Sequence, residues 1–104
     1  MKTIENQVEH HWKPMEEYKL NEEEIMDFID KSVDYRIKII KKMKPNTYLV
    51  YDNSILSNIK RFDSEIESLK ENGLDIGKGN SQYGYRMPIP KKGEGKKLII
   101  FRRY

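Results

Sequence analysis

The change of character after Gly73 limits the possible folds of this chain more than any other feature of its sequence. From Ile25 to Ile40 and from Ile55 to Leu69 apolar residues recur every three or four positions, the spacing of amphipathic helices. From Asp75 to Tyr104 the chain carries Gly77, Gly79, Gly84, Gly93 and Gly95 together with Pro88 and Pro90. Glycine loses much backbone entropy in a helix and proline lacks the N–H donor, so no long helix fits there. A chain of 104 residues that is helical early and strand-forming late describes one α+β domain.

The helical part has clear limits. Asn21 followed by Glu22, Glu23 and Glu24 is a strong start, because the amide can cap free N–H groups and the acids meet the positive end of the helix dipole. Ile25, Phe28, Ile29, Val33, Ile37 and Ile40 then share one face, Lys38, Lys41, Lys42 and Lys44 fill the last turns, and Pro45 stops the run. The spacing predicts one helix of about 23 residues, kinked near Ser32. Thr47–Tyr51 reads as a strand. Asp52-Asn53-Ser54 caps a second helix carrying Ile55, Ile59, Phe62, Ile66 and Leu69, which ends where Gly73 takes a left-handed turn and Leu74 folds back.

Tyr83–Ile89 and Leu98–Arg102 read as two further strands, the first an edge strand because of its prolines. The expected fold is therefore two amphipathic helices packed on a small, mostly antiparallel sheet in the order α-β-α-β-β. It occupies residues 21–104, preceded by an N-terminal arm over 1–20 that Trp12 anchors.

The net charge of +3 conceals a gradient: residues 1–34 carry −6, residues 35–69 carry +3 and residues 70–104 carry +6. Such asymmetry suits a basic face for a polyanion, or an acidic end that meets a basic partner. The chain has no Cys, which removes disulfides and thiol chemistry, and no apolar run approaches the ~20 residues of a membrane span. Nor does the start of the chain have the apolar core of a signal peptide. A cytoplasmic protein without a membrane partner is expected. No alanine beside fifteen Lys, thirteen Ile and seven Asn is what AT-rich codons encode, and points to a phage or another mobile element as the source.

Most catalytic constellations fail on inspection. Gly73–Gly79 resembles a phosphate loop only in having glycines before Lys78; the spacing is short and no Ser or Thr follows. His10 and His11 are adjacent, so their side chains diverge and seldom chelate one ion. No metal or other cofactor and no catalytic residue are assigned. A metal-free ribonuclease using Tyr83, Tyr85, Arg86, Glu94 and Arg102 is the enzyme reading with the right residue types.

The best-supported site is the C-terminal segment. Lys91, Lys92, Lys96 and Lys97 flank a glycine-rich tip, and Tyr85, Arg86, Arg102 and Arg103 stand beside it in sequence. Cations release counterions on meeting phosphates, and aromatic or guanidinium planes stack on bases, so the preferred function is a small non-enzymatic module contacting RNA or DNA. The alternative is an inhibitor or adaptor that docks on a protein of a host or defence nucleoprotein complex through Trp12, Glu22, Glu23 and Glu24. The structural alternative is a solvated turn whose lysines keep an edge strand from aggregating.

Overall fold

Each element begins and ends where local chemistry dictates. A computed structural model describes residues 15–52, 55, 62–93 and 95–104. Among these lie β1 (Glu16–Glu17), α1 (Glu22–Asp30), α2 (Val33–Ile40), β2 (Thr47–Tyr51), α3 (Phe62–Glu71), β3 (Tyr83–Arg86) and β4 (Leu98–Arg102). The fold is α+β, with three helices and a four-stranded mixed sheet among the described residues, ordered β1-β2-β4-β3.

This corrects the expected order in two places. First, β1 pairs with β2 in parallel, Glu16 opposite Thr47 and Glu17 opposite Tyr48, so a strand precedes the first helix. Its side chains are exposed. Nothing in two glutamates encodes a strand, and it is backbone pairing that creates it: the Glu16 N–H donates to the Asn46 carbonyl at 3.1 Å and that of Tyr18 to Tyr48 at 2.7 Å. Second, the single kinked helix is two helices. Lys31 and Ser32 are both extended, with ψ of 174° and 171°, so the backbone breaks rather than bends. Asp27 and Asp30 stand in the last turn of α1 and no basic residue offsets them, an unfavourable match to the negative end of its dipole.

The start of α1 is a capping box. The Glu24 N–H donates to Asn21 Oδ1 at 2.8 Å, while the Asn21 N–H donates to Glu24 Oε1 at 3.2 Å. At the other extreme, α3 closes as expected: Gly73 has φ of +99°, its N–H bonds the Lys70 carbonyl, and the Leu74 N–H reaches back to Leu69 at 2.9 Å. Leu69 and Leu74 are both buried, completing the turn with an apolar contact. Ile55, where the second helix is expected to begin, is helical and buried, whereas its cap residues Asn53 and Ser54 and residues 56–61 lie outside the described residues.

β2 and β4 are antiparallel, as are β3 and β4. Leu49, Tyr51, Leu98, Ile100 and Tyr83 are buried in one core with Phe28, Ile37, Ile40, Met43, Ile66 and Leu69 from the helices. Alternation puts Tyr48, Val50, Ile99, Phe101 and Gly84 on the other face. There Gly84 admits a close approach: a Cβ would stand 2.3 Å from Phe101 Cζ. Only glycine leaves room for that ring.

The register also fixes the two ends of the sheet. β3 stops at Arg86, opposite Ile99, and Tyr51 lies opposite Leu98, so the 87–97 connection leaves and returns at the Tyr51 end. Arg102, opposite Thr47 and Tyr83, is at the other end, about 14 Å away along β4.

Candidate nucleic-acid interface

The basic residues grouped together by sequence divide into two sets. Arg86, Lys91, Lys92, Lys96 and Lys97 are exposed, all on or beside the 87–97 connection. Pro88 and Pro90 end the β3 pairing, because a prolyl nitrogen cannot donate to a ladder, and Gly93 turns the chain with φ of +87°. Within this stretch Ile89 is 91% exposed and Met87 47%. Glu94 lies outside the described residues.

Arg102 and Arg103 do something else. Arg102 is in phase with Leu98 and Ile100, so its stem runs over the core face, where its Nη1 donates to the Met43 carbonyl and its Nε to Tyr104 at 3.0 Å. Arg103 follows the opposite face. Its Nη1 donates to Ser81 at 2.7 Å and Tyr83 at 3.0 Å, its Nη2 to Gly77 at 3.2 Å, and its guanidinium lies 5.1 Å from the Phe101 ring centroid. A rigid fork satisfies three carbonyls of the 77–83 loop at once. These arginines hold the C-terminus to the fold. Tyr104 adds to the seam, its hydroxyl donating to the Asn80 carbonyl. Tyr85 is half-buried against the core.

Of the residues of the ribonuclease reading, Tyr83, Tyr85 and Arg102 share one face of the sheet, and Glu94 lies outside the described residues. Tyr83 is buried beneath Arg102, whereas Arg86 projects from the other face of β3. Among the described residues no three His, Asp or Glu side chains are grouped to hold a metal ion; His10 and His11 lie outside them.

Of the acidic candidates, Glu22 and Glu23 are exposed at the start of α1. Glu24 is engaged: besides closing the capping box it accepts from the Tyr18 hydroxyl at 2.8 Å and lies 3.5 Å from Lys42 Nζ. Burial opposes its ionisation, but the bonds from Tyr18 and Asn21 and the nearby Lys42 hold its carboxyl below the usual value. Trp12 lies outside the described residues.

Sequence reasoning missed a buried charge cluster. Glu65 on α3 is 3% exposed and accepts a two-pronged contact from Arg36 on α2, Nε to Oε2 at 2.7 Å and Nη2 to Oε1 at 2.8 Å. The hydroxyl of Tyr51, itself fully buried, donates to Glu65 Oε2 at 2.8 Å. Three elements therefore meet at one carboxylate, with every buried side-chain polar atom among the described residues satisfied. The signal was present: Glu65 and Arg36 each fall within an apolar stripe, next to Ile66 and Ile37.

Two phenols, Tyr51 fully buried and Tyr18 partly so, give a pH prediction. Burial, reinforced by the Glu65 charge, pushes Tyr51 well above 10, and burial with the Glu24 bond pushes Tyr18 up to about 12. Above pH 10 the unfolded chain loses these protons while the folded chain keeps them, so stability falls as pH rises through that range. Urea midpoints should decline on the alkaline side, and less steeply in Tyr51→Phe. A wild-type midpoint that stays flat from about pH 9 to pH 11 contradicts this.

A shallow cleft of about 220 Å³ lies by β1 and the start of α1, but its charged lining mixes Glu17, Lys19 and Asp52. It lacks the single sign of charge that a polyanion requires. Among the described residues no helix is long and apolar enough to cross a membrane. Compared with known proteins, the chain matches no family model, no curated protein and no solved structure.

Proposed function

We propose that this protein is a non-enzymatic module that binds nucleic acid through the 87–97 connection. The observation that carries the reading is the separation of its basic groups: Arg102 and Arg103 bond carbonyls within the fold, whereas Lys91, Lys92, Lys96 and Lys97 are exposed on the one connection that leaves and returns at the Tyr51 end of the sheet. Lysines gathered this closely on a short connection raise the local potential and attract phosphates. Arg86 at the base of the connection extends the same patch.

Electrophoretic retardation at low salt tests it. Wild-type protein should shift labelled single- or double-stranded DNA or RNA, and the variant with Lys91, Lys92, Lys96 and Lys97 all changed to Ala should shift it far less. No retardation of any of the four ligands ends this reading.

A second reading draws on α1. Met26 is 57% exposed on a helix whose Glu22, Glu23 and Asp30 are also exposed, a combination suited to a basic protein partner. An inhibitor or adaptor of a nucleoprotein complex would use it. Capture of one protein at moderate salt, lost in Glu22→Lys with Met26→Asp, supports that reading; capture unchanged by those substitutions removes it.

A further inference from the structure

The lysines account for attraction to phosphate but not for the apolar residues between them and β3. Met87 and Ile89 each precede a proline. The proline ring bars the residue before it from the helical region, and it fixes the φ of Pro88 and Pro90 near that of an extended chain. Met87-Pro88-Ile89-Pro90 is thus a stiff, extended spur. It presents Ile89 at 91% exposure.

The chemistry of the spur narrows what it can meet. Pro88 and Pro90 have no N–H, so one edge of the spur lacks backbone donors and only Met87 and Ile89 could offer them to another sheet. It carries no hydrogen-bonding fork at its tip, which reading of base edges in the major groove requires. No aromatic residue occurs between Arg86 and Lys97, so a platform for stacking single-stranded bases is missing from the connection as well. The spur is aliphatic and is flanked in sequence by cations, with Arg86 before it and Lys91, Lys92, Lys96 and Lys97 after it. That arrangement matches a duplex whose minor groove is lined by two rows of phosphates and whose base steps part around an inserted side chain. A stiff spur gives up little conformational freedom on insertion.

We propose that the 87–97 connection engages double-stranded DNA from the minor groove and inserts Ile89 between adjacent base pairs, kinking the duplex. The inference rests on the nucleic-acid reading and adds the ligand class and the contact. Sequence preference would then come from deformability, with TA steps or mismatches favoured because they unstack most readily.

The test uses a duplex of about 30 base pairs with a central TA step and a dye at each end, whose energy transfer reports bending. Wild-type protein should shorten the end-to-end distance and bind a mismatched duplex more tightly than the matched one. Ile89→Ala should lose the bend and the mismatch preference, weaken binding at least about tenfold, and keep the same salt dependence, because no cation has been removed. Ile89→Leu should restore the bend. Since Ile89 is exposed, the far-ultraviolet dichroism of each variant should equal that of the wild type.

Binding with unchanged bending in Ile89→Ala overturns the wedge while leaving nucleic-acid binding in place. Tighter binding to single strands than to duplex also overturns it. Failure to bind any nucleic acid removes both proposals. Co-sedimentation with phosphatidylserine vesicles that disappears in Ile89→Asp, without DNA binding, assigns the spur to a lipid surface instead and equally overturns it.

Discussion

Glu65→Ala should lower the free energy of unfolding by about 3–5 kcal/mol, the usual cost of removing one partner from a buried ion pair. The charge of Arg36 would remain beneath the surface of α2, its side chain 14% exposed, and the Tyr51 hydroxyl would lose its acceptor in a site from which water is excluded. A domain of this size has roughly 5–15 kcal/mol in total, so the loss would take a large share of its stability. Arg36→Ala should be comparably damaging. The pair should also be non-additive: the double variant should lose less than the two single losses combined, because each single change leaves a charge that the double change removes. Urea denaturation of all four proteins gives the comparison, and additive losses would mean that the contact contributes no coupling.

Arg103→Ala should be the second large loss, at least about 2 kcal/mol, since three carbonyl acceptors lose a charged donor together. The effect should be local as well as global. The 77–83 loop would lose its tie to β4 and become the first site of proteolysis, while Phe101 would lose the guanidinium plane over its ring. Arg103→Lys is the informative companion. It retains the charge but cannot reach Gly77, Ser81 and Tyr83 from one nitrogen, so it should lose nearly as much stability as alanine. If lysine restores the wild-type transition, the role of Arg103 is its charge and not its fork.

These two sites also mark what could be read in the sequence. Asn21 as a cap, the Thr47–Tyr51 strand and the Gly73–Leu74 turn were legible because each depends on residues a few positions apart. β1 was not, because two exposed glutamates become a strand only when β2 is beside them. The break at Lys31 and Ser32 was blurred because the apolar spacing runs across it almost unbroken; the absence of a basic residue before it was the available clue.

The placement of the basic residues was half legible. Strand alternation put Arg102 in phase with Leu98 and Ile100, but it could not say which face of β4 the helices cover. Once Leu49 and Tyr51 bury that face, Arg102 must lie along the core and find a carbonyl. The exposure of Lys91, Lys92, Lys96 and Lys97 was legible because proline and glycine interrupt strand pairing beside them.

Binding affinity as a function of salt, compared between wild type and the variant with Lys91, Lys92, Lys96 and Lys97 changed to Ala, tests the nucleic-acid reading most directly. Each lysine that meets a phosphate contributes about 0.9 to the slope of log affinity against log salt on duplex DNA, so removing four should reduce the slope by about 3–4. The unfolding transition should not move, because all four side chains are exposed. Equal slopes for the two proteins would contradict the assignment of the interface to this connection.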